Sequence, residues 1–469
     1  MIPLSSLFGF LLVIGVLALA GYYSVRSSPE YLVAGRNTGL FALVATLVMT
    51  EFNTSTLIAF SSMGYVAGSV ALTLPLIFLV GLCWYTLSVS REWKKFDGLS
   101  VAQLFTKHYG SSLGRCASFF LIVAMLGFSA TYVKSMTLIF QPWIKLNTWL
   151  LSAILSLLVL IITVRGGLVS VIRVDVVSFL LTVILFPLIF ILSYFKAGGR
   201  VKLSYESVIQ WNHPQLPFWF VSSLIVLTCF TYICSPWYGQ KIFSAKNSKT
   251  AFLGVAISSV IVFILYGCGV MACVFFRVYT PHLQNAELAL PQLFYEELPA
   301  FLSGVAFSVL FCAAMTTLAG VWSTIVAMVV ADFKKIENSL LKQQVATVIL
   351  AIVSWLGANV LVDNILNRLI LANIPIAALS FALLGAFHWK RTSRAGAWTS
   401  VFVGLFWAIG CFIIYGESGG YTWYWAMYGI PLIFISGIVV SYLFPSAQLR
   451  LQNFSLNTRT EELDSLELS

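Results

Sequence analysis

Charge is scarce in this chain. Only 9% of its 469 residues are Asp, Glu, Lys or Arg, against about 25% in soluble domains. That excludes a water-soluble globular protein. Histidine is almost missing: the 4 histidines, His108, His213, His282 and His388, lie at the ends of apolar segments or in loops. No catalytic cluster forms at one depth, so an enzyme is not expected. The 8 cysteines show no Cys-x-x-Cys or Cys/His spacing, which leaves no zinc module and no disulfide framework. Most of them sit inside apolar runs, where a free thiol behaves as a small hydrophobe. Alternation with period two over roughly ten-residue segments is absent as well, which argues against an outer-membrane barrel.

What is present is apolar surface. Hydrophobic residues make up 59% of the chain. The class is all-α and polytopic in a lipid bilayer. The formal net charge of +10 does not imply nucleic acid, because the basic residues fall in short connections between apolar runs. The run from residue 4 to 23 has no preceding Lys or Arg. A signal peptide wants a basic leader, so this run is read as a retained helix.

Thirteen spans are predicted: a leading helix at 4–23, then helices 1 to 12 at 41–67, 70–90, 113–141, 148–164, 169–195, 217–240, 250–276, 301–332, 343–361, 365–388, 396–415 and 423–444. With the N-terminus outside, about 20 of the 27 basic residues fall on the inner side, as the positive-inside rule requires. The C-terminal tail, 446–469, is then cytoplasmic. The expected location is the cell membrane, the bacterial inner membrane, crossed many times. Residues 91–112, including the run 98–105, read as a short amphipathic helix on the inner face, and 277–300 as an outer loop helix.

Two spans are interrupted. Helix 1 is apolar at both ends, yet its middle reads Met49-Thr50-Glu51-Phe52-Asn53-Thr54-Ser55-Thr56. A carboxylate, an amide and hydroxyls at mid-membrane depth are costly and mark a site. Helix 6 carries Ser235-Pro236-Trp237-Tyr238-Gly239, where Pro236 removes a donor and clashes with the previous turn. Interruptions at matching positions of two halves point to an inverted repeat with its binding site at the break. Helices 1–5 (41–195) and 6–10 (217–388) would be the two repeats of a five-plus-five architecture. Helix 8 offers Thr316 and Thr317 near its midpoint. Their hydroxyls either bond back within their own helix or turn to a neighbour and help hold a hard cation, which wants several oxygen ligands.

Five blocks then carry a family resemblance: YLVAGRNTG (31–39), RGGLVSVIRVDVV (165–177), SPWYGQKIFSAKN (235–247), AAMTTLAGVWSTIVAMVVADFKK (313–335) and GAFHWKRTSRAGAW (385–398). In that order, the chain resembles the sodium:solute symporter family with its LeuT-type fold. The resemblance implies Na+ as coupling ion, bound by the carbonyls of Met49, Phe52 and Ala313 and the hydroxyls of Thr316 and Thr317. It raises a second ion at Asp175, which some relatives pair with hydroxyls one turn further along helix 8. Here those positions are Ala319 and Gly320, so Asp175 is expected to pair with Arg173 or to line the exit path, and one sodium is favoured.

The solute is expected among Glu51, Asn53, Thr54, Ser235, Trp237 and Tyr238, with helices 3 and 10 opposite. Glu51 would hold a substrate ammonium, strengthen sodium binding through space, or act in its protonated form, since burial disfavours a charged carboxyl. The last option would make the chain a proton-coupled carrier. Helix 2 has no Glu and helix 7 no Lys, polar groups that the sugar-carrying relatives use. An amino acid, amine or small carboxylate is expected, carried by a monomer. A membrane sensor built on the same bundle is the other class in view, and only about 24 residues follow the last span.

Overall fold

The computed structural model describes residues 3–22, 34–198, 212–333, 340–417 and 420–445, apart from 97, 99 and 215. The predicted tail, 446–469, residues 31–33 of the first motif block and the basic pair Lys334–Lys335 lie outside the described residues. Apart from one two-stranded antiparallel ribbon, β1 (Asn212–His213) with β2 (Leu216–Pro217), the regular structure described is helical.

The first helix, α1 (Leu4–Gly21), lies along α13 (Ala300–Phe333). The approach is close enough to exclude side chains. A Cβ on Gly304 would stand 1.9 Å from the Ser6 carbonyl oxygen, and the Ser6 hydroxyl donates to the Ala300 carbonyl at 2.6 Å. Small residues let helix backbones meet in this way where lipid offers no competing hydrophobic drive.

Helix 1 of the sequence reading is two pieces, α2 (Leu40–Glu51) and α3 (Thr54–Ala67). A 3-10 turn leads from α3 into α4 (Thr73–Ser88). The short helices α5 (Ser90–Lys95) and α6 (Ala102–Tyr109) follow. Gly110, at φ +92°, turns the chain into α7 (Ser111–Phe140). Helical backbone then runs without interruption through α8, Thr148–Lys196, where two spans (148–164 and 169–195) are predicted. The backbone of Gly166 and Gly167 is helical too, since glycine weakens a helix without necessarily breaking it. The apolar stretches of α8 divide where expected, Thr148–Ile161 and Leu168–Lys196.

Helix 6 is broken into α9 (Phe218–Tyr232) and α10 (Pro236–Ser244), bent by 47°. Pro236 occupies the first turn of α10, where its missing N–H costs nothing. Next come α11 (Ser248–Tyr279), the loop helix α12 (Ala289–Glu297), α13, and α14 (Leu340–Val360). Helix 10 is also broken, a feature the sequence reading missed: α15 (Ile365–Ala372), α16 (Ile374–Ala377) and α17 (Ser380–His388) bend by 43° after Ala377. Asn373 and Pro375 open the short piece α16, and the bend itself falls at Ala378–Leu379, between α16 and α17. The chain closes with α18 (Arg394–Tyr415), α19 (Tyr421–Tyr424) and α20 (Ile430–Leu443).

Among the described residues, 9 helices are long and apolar enough to cross a membrane, or up to 11 if each bent pair counts as one span. Thirteen spans are not confirmed: the break at Phe52 leaves α2 only 12 residues long, against the roughly 20 that a span needs, and the first apolar stretch of α8, Thr148–Ile161, is likewise short.

Candidate functional site

The break in helix 1 follows from its own residues. The Asn53 side chain accepts from Thr56 N–H at 2.8 Å and so caps α3. Its amide nitrogen reaches back to the Glu51 carbonyl at 3.0 Å. The Asn53 N–H, which in an unbroken helix would bond Met49, bonds the Glu51 carbonyl at 2.7 Å instead. Tyr266 of α11 clasps the turn: its hydroxyl donates to the Glu51 carbonyl and accepts from Asn53 N–H. The last carbonyls of α2 are thereby released from helical pairing, as at any helix end.

One released carbonyl meets α13. Thr317 Oγ1 lies 3.3 Å from the Met49 carbonyl oxygen and 2.8 Å from that of Ala313. Thr316 Oγ1 stands 3.5 Å from the Ala313 carbonyl. Met49, Phe52, Ala313, Thr316 and Thr317 are all buried. Neutral oxygens from two helices therefore converge beside the break, a donor set suited to a monovalent hard cation.

Glu51 points to another side. Its Oε2 accepts from the Tyr232 hydroxyl of α9, while Oε1 is buried with no partner. It faces a cavity of about 80 Å³, lined also by Asn53 and Trp237, by Phe128 and Tyr132 of α7 and by Leu369 and Asn373 of helix 10. Three expected solute residues turn elsewhere. The Thr54 hydroxyl lies 3.0 Å from that of Ser135, Tyr238 bonds Ser258 at 3.1 Å, and Ser235 bonds back to Thr231 at 3.2 Å. None of the three lines the cavity. Tyr132, Tyr232 and Tyr266 were missed by sequence reasoning, because an aromatic at helical spacing looks the same whether it packs or binds.

Asp175 sits apart, deeper along α8. Its Oδ2 accepts from Lys241 Nζ of α10 at 3.1 Å and from the Thr46 hydroxyl of α2 at 2.5 Å. Lys241 Nζ also donates to Thr46 at 2.7 Å. Asp175 was expected to pair with Arg173 or to line the exit path; its partners here include Lys241 and Thr46, and Arg173, two residues along the helix, is exposed. The sequence reading ends helix 6 at 240 and so leaves Lys241 among the inner-side basic residues, whereas α10 carries it, buried, to residue 244. Close by, Thr38 N–H donates to the Ser244 carbonyl at 2.9 Å and Lys246 N–H to the Thr38 carbonyl at 3.0 Å. The starting segment of helix 1 and the end of helix 6 are thus stitched together.

Interrupted helices that meet in a buried bundle, with released carbonyls on one side and a carboxylate-lined cavity on the other, define a secondary transporter. The comparisons agree. A Na+-coupled sialic acid symporter, solved in a substrate-bound outward-open state, superposes with a TM-score of 0.78 at 18% identity, over 94% of this chain and 98% of that one. An Eremococcus coleocola manganese transporter superposes with a TM-score of 0.53 at 15% identity, over 90% of this chain and 97% of that one. At these identities the likeness speaks for the fold. No curated protein sequence matches the chain. Residues 31–404 match the sodium:solute symporter family, and the chain belongs to it. Sodium is accordingly the coupling ion, and the protein moves a solute rather than transforming it.

Proposed function

We propose that this symporter imports a small organic solute, an amino acid or amine, together with one sodium ion by alternating access. Sodium binds the carbonyls of Met49, Phe52 and Ala313 and the hydroxyls of Thr316 and Thr317. The solute binds beside it against Glu51, Asn53 and Trp237. The observation that carries this reading is the approach of Thr317 to the freed Met49 carbonyl. An ion shared between an unwound segment and a rigid helix orders the unwound segment, and the solute then finds its site formed. Such coupling is reciprocal by linkage.

One ion is favoured over two by the contacts of Asp175. A protein ammonium, Lys241, already neutralises this carboxylate, and Ala319 and Gly320 offer no side-chain oxygen. One charge crossing 100 mV supplies about 2.3 kcal/mol, which is about 50-fold in concentration. The orientation that fits the basic residues puts the N-terminus outside and the Thr38–Ala245 bridge near the cytoplasm, in a bacterial inner membrane. The two five-helix repeats, 41–195 and 217–388, would supply one interrupted helix each to the site, and a monomer would suffice.

The test is uptake by proteoliposomes of radiolabelled amino acids and amines, with and without an inward sodium gradient. Accumulation that needs the gradient and is lost in Thr317→Ala supports the reading. Accumulation indifferent to sodium, or unaffected by Thr317→Ala, overturns it.

A further inference from the structure

The cavity beside the break has a chemistry that selects its occupant. Glu51 and Thr231 line this space, and Glu51 Oε1 and Thr231 Oγ1 are both buried without a hydrogen-bond partner. No Lys, Arg or His is among the residues lining it. The walls are aromatic. On one side Phe60, Phe78 and Tyr232 form a chain of edge contacts, with ring centroids 5.2 Å and 5.6 Å apart. On the other, Phe128 touches Trp237 at 4.9 Å and Tyr132 at 6.3 Å. Glu51 accepts from Tyr232 of the first group and lines the same space as Trp237 of the second.

A buried carboxylate without a counter-charge is costly. Ring faces attract cations, above all those whose nitrogen is too weakly hydrated to resist leaving water. An anionic group placed here would meet a like charge and no cationic side chain. The volume, about 80 Å³, is well under the roughly 300–1,000 Å³ of pockets for larger ligands.

We infer that the cargo of this cavity is a compact organic monocation, a protonated amine or a quaternary ammonium, and that it carries no carboxylate. Its nitrogen sits between the two aromatic walls and supplies the counter-charge to Glu51. This rests on the symport reading and narrows it, removing the amino acid and leaving the amine.

The full chain in lipid nanodiscs, with sodium present, is titrated calorimetrically with methylammonium, tetramethylammonium and choline. Glycine betaine, which has the trimethylammonium of choline plus a carboxylate, and sialic acid are the comparison ligands. At least one of the three monocations should bind saturably, about tenfold or more tighter than glycine betaine, and sialic acid should not compete. Glu51→Gln and, independently, Trp237→Leu should each weaken that binding by about tenfold. Two positions are tested so that loss of one variant to misfolding still leaves the other to decide. The inference is overturned if none of the monocations binds, if glycine betaine binds as tightly, or if both folded variants bind as the wild type does. Thermal stabilisation of the wild type by sodium alone reports the symport reading separately. Stabilisation without monocation binding sinks only the cargo class, and monocation binding without any sodium effect sinks the coupling.

Discussion

Thr317 Oγ1 of α13 lies 3.3 Å from the carbonyl oxygen of Met49, in the last turn of α2 before the chain unwinds. The same hydroxyl lies 2.8 Å from the Ala313 carbonyl in its own helix. It therefore links a rigid helix to a broken one, and a cation at that point would hold both.

Removing this hydroxyl takes away one ligand and leaves the helix intact, since a Thr side chain is not needed for helical pairing. Thr317→Ala should raise the sodium concentration for half-maximal thermal stabilisation by roughly tenfold, the equivalent of about 1.4 kcal/mol. Thr316→Ala should act in the same direction. Unaltered sodium dependence in both variants would remove the proposed site.

Tyr266 ties the unwound turn to α11 through the Glu51 carbonyl and Asn53 N–H. Tyr266→Phe keeps the ring and its packing against Phe52 and deletes the hydroxyl alone. The expected cost is about 1–3 kcal/mol in unfolding free energy, with weaker sodium binding as the turn loosens. Chemical denaturation with and without sodium reads both effects. A loss of stability equal in the two conditions would mean that Tyr266 supports the fold and not the ion.

Asp175 and Lys241 are buried together, with side chains 1% and 3% exposed. Breaking a buried pair from one side strands a charge and typically costs about 3–5 kcal/mol. Lys241→Met alone should therefore destabilise strongly. The double variant Asp175→Leu with Lys241→Met should recover much of that loss, because both charges leave together. A double variant no better than the single one would show that Lys241 serves something other than Asp175.

Outside the bundle, Asp363 at the start of helix 10 receives two guanidinium bonds from Arg368, each 2.8 Å. These bonds hold its carboxyl down to about 2, from an ordinary value of about 3.9. A depressed carboxyl value means stabilisation that is present above the ordinary value and lost as pH falls through about 2. The side chain is 68% exposed, so solvent screening leaves such a pair worth only about 0–1 kcal/mol. Asp363→Asn should barely move the melting temperature at pH 7. A carbon-detected NMR titration should place the Asp363 carboxyl near 2, and an ordinary carboxylate value there would show the Arg368 pairing to be absent in solution.

The break in helix 1 was legible because Glu51 and Asn53 have no business at mid-membrane depth unless the backbone there is put to use. The break in helix 6 was legible from Pro236. Helix 10 broke unannounced, because the bend falls at Ala378–Leu379, inside an apolar run with no polar or proline residue at the break. Between the predicted helices 4 and 5 the backbone stays helical, Thr148–Lys196, while the apolar stretches Thr148–Ile161 and Leu168–Lys196 divide where the sequence placed them.

The sequence by itself determined the class: too few charges for water, enough apolar spans for a membrane, two polar interruptions at matching places, and motif blocks in family order. The family resemblance, rather than spacing or depth, supplied the proposed sodium ligands Met49, Phe52, Ala313, Thr316 and Thr317. Tertiary structure alone decided which polar groups face each other. Asp175 meets Lys241 and Thr46 across three helices, Glu51 meets Tyr232 and an aromatic cavity, and Thr54 and Tyr238 turn away to Ser135 and Ser258. Spacing along one helix fixes the face a residue occupies. It does not say which of several neighbouring helices packs against that face, and the partner is what makes a buried carboxylate a structural ion pair or a binding site.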